Sequence, residues 1–303
     1  MCTALDMYIL DMCVAHVLWQ LRCTRMNAVI DAGGGLRNIY TAGVFDRCMD
    51  DDIYFDLCIG VSAGSANLST FLSGQRDRTY RFYHDYSQRK EYMSLGNFIR
   101  KGSYLDLDYI YSYLTNSDGE DPIDYPQIAK YEGEFLIGAT DALTGKAHYF
   151  TKEDLSQDNY KVFCASSAIP VVCKPVTING REYIDGGVAI PVPLEKALEM
   201  GADKIVFALS KPKMYRRSSS RNDFLAKILK RKYPEAAKTL LKSNAEYDRL
   251  VDKAIELEKE GRVLIISPDD TCGVDTLTRD KDKLHALYEK GYKDAEKIKE
   301  FLG

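Results

Sequence analysis

Asp56-Leu57-Cys58-Ile59-Gly60-Val61-Ser62-Ala63-Gly64 decides how the rest of this 303-residue chain is read. Residues 56–59 form a short apolar run that predicts a buried strand, and the stretch from Gly64 to Gly74 predicts a helix. Between them lies a GxSxG. Its glycines, Gly60 and Gly64, permit a turn tight enough to expose the Ser62 hydroxyl, and the helix N-terminus behind it favours developing negative charge. Strand-to-helix is the context a nucleophile elbow requires. A plain glycine-rich βα turn is the alternative, since a GxSxG arises by chance in about one chain in ten of this length.

Upstream, Val29-Ile30 predicts another buried strand, followed by Gly33-Gly34-Gly35-Leu36-Arg37 and a helix over 37–49. Strand, glycine turn and helix, repeated, predict a parallel sheet covered by helices. The backbone amides of Gly33, Gly34 and Gly35 suit an anion. A dinucleotide loop would need a third spaced glycine where Asn38 stands, and an acid after the second strand where the serine turn stands. An oxyanion hole fits better. Arg37 either reinforces that site, binds substrate charge or forms a structural ion pair.

Further strands are predicted at 135–139, 160–164, 204–209 and 262–267. Asn179-Gly180 marks a two-residue hairpin, 193–200 predicts a short helix stopped by Gly201, and 279–301 predicts a charged one. A serine nucleophile needs a base, yet His16, His84, His148 and His285 occupy no recognisable catalytic context. Asp185, at a predicted strand end before Gly186-Gly187, could contact the serine directly as a dyad. By itself Asp-Gly-Gly is more commonly a turn.

Taken together, Gly33-Gly34-Gly35-Leu36-Arg37, Gly60-Val61-Ser62-Ala63-Gly64 and Asp185-Gly186-Gly187, in that order, resemble the patatin-like phospholipase family. Gly138-Ala139-Thr140-Asp141 and Ala165-Ser166-Ser167-Ala168-Ile169-Pro170 agree with it. The resemblance covers about 26–210 and implies an α/β/α three-layer fold with a mainly parallel central sheet. It also implies a serine lipid acyl hydrolase of phospholipase or esterase type; no cofactor is expected, and four scattered histidines with no HExxH do not support a metal. By it Ser62 is the nucleophile, Asp185 its base, and Gly33, Gly34 and Gly35 the oxyanion loop. Arg37, Gly60, Gly64, Gly186 and Gly187 support them. Asn38 departs from the family loop only at its end. The segment 211–303 resembles the mostly helical C-terminal extension of a bacterial subgroup, with one strand at 262–267. A carboxylate takes a serine proton at neutral pH only if it is partly desolvated or its transfer is coupled to attack. A catalytically silent lipid- or acyl-binding protein of the same fold is the alternative. A Ser-His-Asp α/β-hydrolase would have to use His285.

Composition bounds what remains. The eight cysteines (Cys2, Cys13, Cys23, Cys48, Cys58, Cys164, Cys173 and Cys272) form no CxxC and read as small buried hydrophobes in a reducing compartment. No apolar run is long enough to span a bilayer, and a cytoplasmic location is expected. Residues 1–25 lack the charge order of a secretory signal and read as an extension or a misassigned start. Residues 76–131 hold ten of the 21 tyrosines, either a lid or acyl funnel or ordinary packing. Lys211–Lys232 carries nine Lys/Arg and one acid, against 32 Lys/Arg and 44 Asp/Glu elsewhere. It reads either as a solvated face or as a peripheral contact for an anionic membrane. Nucleic acid is not expected as a partner, because no module for it is present.

Overall fold

The protein is described by a computed structural model, which covers residues 25–216 and 220–303. The expectation for residues 1–25 therefore lies, Arg25 apart, outside the described residues. In chain order the elements are β1 (Asn27–Asp31), α1 (Ile39–Asp50), β2 (Leu57–Val61), α2 (Ala63–Leu72), α3 (Arg78–His84), α4 (Leu95–Lys101), α5 (Tyr125–Lys130), β3 (Glu134–Asp141), β4 (Ala147–Thr151) and α6 (Lys161–Ser167). Then follow β5 (Val176–Ile178), β6 (Arg181–Asp185), α7 (Leu194–Glu199), β7 (Lys204–Ala208), α8 (Ser220–Leu229), α9 (Pro234–Lys259), β8 (Val263–Ile266), α10 (Lys281–Asp294) and α11 (Lys297–Leu302).

All eight strands among the described residues join one sheet, ordered β5-β6-β3-β2-β1-β7-β8, with β4 also paired to β3. The run β3-β2-β1-β7-β8 is parallel, while β4, β5 and β6 are antiparallel to their neighbours. The two-residue period of a strand sorts the core onto two faces. Val29, Cys58 and Val206 point to one face, where α1, α2, α6 and α10 pack. Ala28, Ile30, Leu57, Ile59, Ile205 and Phe207 point to the other, under α7 and α9. The result is the expected three-layer α/β/α arrangement. The C-terminal segment is woven into it: β8 extends the sheet beside β7, α9 covers one face, and α10 packs on α1.

The strand expected at 160–164 is a helix instead, α6. Short apolar runs do not distinguish a buried strand from a buried helix. Here Val162 to Ser167 are all buried, because α6 lies across one face of the sheet. The helix expected over 279–301 is broken between Asp294 and Lys297, and β4 was not anticipated. Of the cysteines in the described residues, Cys48, Cys58, Cys164 and Cys173 are buried and Cys272 is half-buried; none forms a disulfide. No helix among the described residues is long and apolar enough to cross a membrane.

Strand β3 sets the geometry of the site. Residues 136–140 pair with β4, 134–138 with β2, and 139–141 with β6. A strand has two edges, so β2 and β6 must share the edge opposite β4, end to end. Val61 faces Gly138 and Asp185 faces Ala139. The residue after the end of β2 is thereby brought against the last residue of β6.

Candidate active site

Ser62 follows β2 and caps α2, with φ 56° and ψ −132°. That is a region a non-glycine residue rarely occupies, and it throws the side chain out of the turn. The flanking glycines are required by contact. A Cβ on Gly60 would lie 2.4 Å from Ser65 Cα, and one on Gly64 would lie 2.4 Å from the Asp31 carbonyl oxygen. The Ser62 hydroxyl donates to Asp185 Oδ2 at 2.7 Å. The other oxygen of Asp185 accepts from Gly187 N at 2.7 Å, and its backbone carbonyl accepts from Thr140 Oγ1 at 2.9 Å. Asp185 is 8% exposed. From below, Ser62 N donates to Ser166 Oγ (2.8 Å), which itself donates to the Gly138 carbonyl (2.6 Å). The misread helix α6 is thus what supports the elbow.

The glycine loop lies beside this pair, with one amide already engaged. Gly33 N donates to Asp31 Oδ1 at 2.9 Å, and Gly34 and Gly35 line a cavity together with Ser62. Asp31, wholly buried, also accepts from Asn38 Nδ2 and from Thr41 Oγ1 at 2.6 Å. Burial pushes the Asp31 carboxyl up to about 6, against the opposing pull of those hydrogen bonds. Asn38, the departure from the family pattern, is therefore a ligand of Asp31. Arg37 reaches Thr276 Oγ1 (2.8 Å) and Asp275 Oδ1 (3.4 Å), and Leu36 N donates to the Thr276 carbonyl. Gly35 is pressed so closely on Thr276 that an added Cβ would lie 2.5 Å from its methyl.

Two cavities of different polarity meet at Ser62. One is mainly apolar and runs along α2, past Ala63, Ala66 and Thr70, with Tyr83, Tyr92 and Tyr111 in its wall. From Ser62 to Thr70 the helix rise gives it a length of about 12 Å. Three of the ten clustered tyrosines thus line this cavity, while Tyr113 is largely exposed. The other cavity is the more polar of the two, with Asp185, Arg37, Lys211 and Arg221 on its wall beside Asn222 and Asn244 of the C-terminal segment. Asn222 Nδ2, within reach of Leu240 O, Ser243 Oγ and Asn244 Oδ1, ties α8 to α9 on that side.

None of the described histidines joins Ser62. His285 sits on α10 against the Tyr80 hydroxyl at 3.0 Å, His84 faces Asp85, and His148 packs edge-on against Phe150 and tilted against Tyr183. The His285 alternative has no geometry here, and His16 lies outside the described residues. The nine cations of the basic stretch separate as well. Lys213, Arg216 and Lys232 pair with Glu258, Asp252 and Glu182, Lys211 and Arg221 line the polar cavity, Lys227, Lys230 and Arg231 are exposed, and Arg217 lies outside the described residues. No group of three or more His, Cys, Asp or Glu among the described residues could hold a metal ion.

Sequence reasoning missed Asp31, Thr140, Ser166 and Thr276. Asp31-Ala32-Gly33 repeats the acid-x-Gly spacing of Asp185-Gly186-Gly187, a signal that could have found it. Thr276 carries none.

The family model for patatin-like phospholipases matches residues 32–198, just over half of the chain, and the protein belongs to that family. A domain of unknown function (DUF6363) matches residues 233–303. The uncharacterized protein YjjU of Escherichia coli strain K12 is 30% identical over 198 residues, 61% of this chain and 52% of that protein. The chain thus spans about half the length of that curated relative. Among solved structures, VipD from Legionella pneumophila is similar at 14% identity and a TM-score of 0.44, covering 91% of this chain and 66% of that one.

Proposed function

We propose that this protein is a serine lipid acyl hydrolase in which Ser62 is the nucleophile and Asp185 its base. The observation that carries the reading is the 2.7 Å hydrogen bond from Ser62 Oγ to Asp185 Oδ2 at the mouth of an apolar cavity. An acyl chain lying along α2 brings its ester carbonyl to Ser62. As Oγ attacks, its proton passes to Asp185, which Gly187 N holds in orientation. The oxyanion is stabilised by the Gly34 and Gly35 amides and the positive end of α2. Collapse of the tetrahedral adduct expels the alcohol, with the proton returned from Asp185, into the polar cavity. Water, deprotonated by the same carboxylate, then releases the fatty acid.

Labelling by a fluorescent fluorophosphonate tests this in wild type, Ser62→Ala, Asp185→Asn and His285→Ala. Loss in the first two variants with retention in the third is the expected result. A folded wild type that takes no label would instead favour a silent acyl-binding protein. Loss in Ser62→Ala and His285→Ala alone would break the dyad.

A further inference from the structure

Helix α4 turns its apolar residues outward. Leu95, Phe98 and Ile99 are 73%, 48% and 82% exposed and, at i, i+3 and i+4, share one face. That orientation is fixed from behind. Asn97 is buried, with Nδ2 within 2.9–3.4 Å of the carbonyls of Lys90, Glu91 and Tyr92, and Ser94 Oγ caps the helix at Asn97 N. Next to α4 stands Val171, exposed and at φ +71°, a conformation that is costly for a β-branched residue. Its loop is fastened to α4's flank by Tyr104 N to the Val172 carbonyl (2.7 Å) and Lys174 N to Ser103 Oγ (3.0 Å). Exposed Lys90, Arg100, Lys101 and Lys174 lie along this tip with two exposed acids, Glu91 and Asp108, the latter sharing a groove wall with Lys101, which pairs with Asp106.

The tip is rooted in the site. Tyr92 and Leu105, which flank it on either side in sequence, line the apolar cavity, and Ile169 lines both cavities.

We propose that α4 and the Val171 loop form a membrane-docking face, which seats on an anionic phospholipid bilayer and sets the apolar cavity against it. A projecting apolar tip ringed by cations matches the acyl boundary and the negative headgroups of such a surface at once. The stretch 211–232 is dispersed by comparison: Lys213, Arg216 and Lys232 are in ion pairs, Lys211 and Arg221 line the second cavity, and Lys227, Lys230 and Arg231 are exposed on and after α8.

Co-sedimentation with vesicles of one part phosphatidylglycerol to two parts phosphatidylcholine tests this, using the full chain with Ser62→Ala so that the lipid is unchanged. The readout does not depend on whether Ser62 is a nucleophile. Leu95→Ser with Ile99→Ser weakens binding by about tenfold or more, from the apolar area withdrawn. Arg100→Glu with Lys174→Glu weakens it by about tenfold, at roughly a fivefold loss or less per cation, and that part fades at high salt. Leu241→Ser, at a 53% exposed position on α9, leaves binding as it was. The substituted side chains are exposed, and unchanged urea midpoints verify that each variant folds. Failure of the parent to sediment, parental binding by the Leu95/Ile99 variant, or an equal loss in Leu241→Ser would overturn the proposal. So would a patch variant that turns a dimer into a monomer without changing vesicle binding, because the face would then be an interface between copies.

Discussion

Asp31 and Asp185 each end a strand, and each accepts the amide two residues on through Oδ1, from Gly33 at 2.9 Å and from Gly187 at 2.7 Å. Each also receives a hydroxyl on Oδ2, from Thr41 at 2.6 Å and from Ser62 at 2.7 Å. Locally they are the same device. They differ in what surrounds the hydroxyl. Thr41 is wholly buried inside α1 and lines neither cavity, whereas Ser62 lines both. A hydroxyl–carboxylate pair of good geometry is thus not a nucleophile until substrate can reach it, and the strained turn at Ser62 supplies that access.

The largest expected effect separates the two acids by activity. Asp185→Asn lowers kcat/KM by about 10³- to 10⁴-fold, as loss of a general base does. Asp31→Asn, at a residue that lines neither cavity and reaches the site through Gly33, Asn38 and Thr41, lowers it by about tenfold or less. Equal losses in the two variants, measured with a soluble acyl ester on the same preparations, would break the comparison.

The next effect is on stability. The Asp31 carboxyl is raised to about 6 from an ordinary 3.8, so the folded state holds a proton that the unfolded chain has released between about pH 4 and pH 6. Across that window this group's contribution to stability falls as pH rises, by about 3 kcal/mol in all. Asp46, whose burial also pushes it up to about 6, adds in the same direction. Protonation is accommodated locally, because Thr41 Oγ1 can redirect its hydrogen to the Asn38 carbonyl (3.1 Å) and accept from Asp31 instead. Urea unfolding at several pH values should show Asp31→Asn flattening the acid-side slope. An unchanged slope would mean that the buried acid titrates normally.

Ser166→Ala probes the support beneath the exposed pair. It leaves Ser62 N and the Gly138 carbonyl without their partner, at about 1–3 kcal/mol for the buried groups. It also loosens the elbow, and labelling should slow by about tenfold. A stability loss with no change in labelling would show that β2 and α2 hold Ser62 without α6.

The chain announced these parts unevenly. Gly60, Ser62 and Gly64 are legible because a strained strand-to-helix turn admits few residue types, and Asp185 because its flanking glycines mark a strand end. Residues 160–164 were misread because a short apolar run has no period to separate strand from helix. The contact of Thr276 with Gly35 joins segments 241 positions apart, and nothing local to either specifies it. The polar cavity was illegible for the same reason. The charge run 211–232 was visible, but which of its cations would be paired and which would face Ser62 depended on where α9 placed its carboxylates.

The smallest effect concerns that cavity. Asp185 lines it and Asp31 does not, so under the proposed mechanism only Asp185 would meet the alcohol side of the substrate. A phosphate-bearing leaving group would be repelled there by the carboxylate unless Lys211 and Arg221 offset it. Lys211 is steadied over the Tyr215 ring, its Nζ 3.6 Å from the centroid, while Arg221 is exposed and well hydrated. Removing Arg221 should therefore raise KM for a lysophosphatidylglycerol by only about two- to fivefold, the range of an exposed ion pair, and kcat should change little. The ratio of kcat/KM for that substrate over lysophosphatidylcholine is the sharper readout, because the active fraction of the preparation cancels in it. Lys227→Ala, on α8 but outside the cavity, serves as the control. A ratio lowered equally in both variants would reduce the effect to net charge; one lowered only in Arg221→Ala would give the Asp185 side of the comparison its own substrate contact.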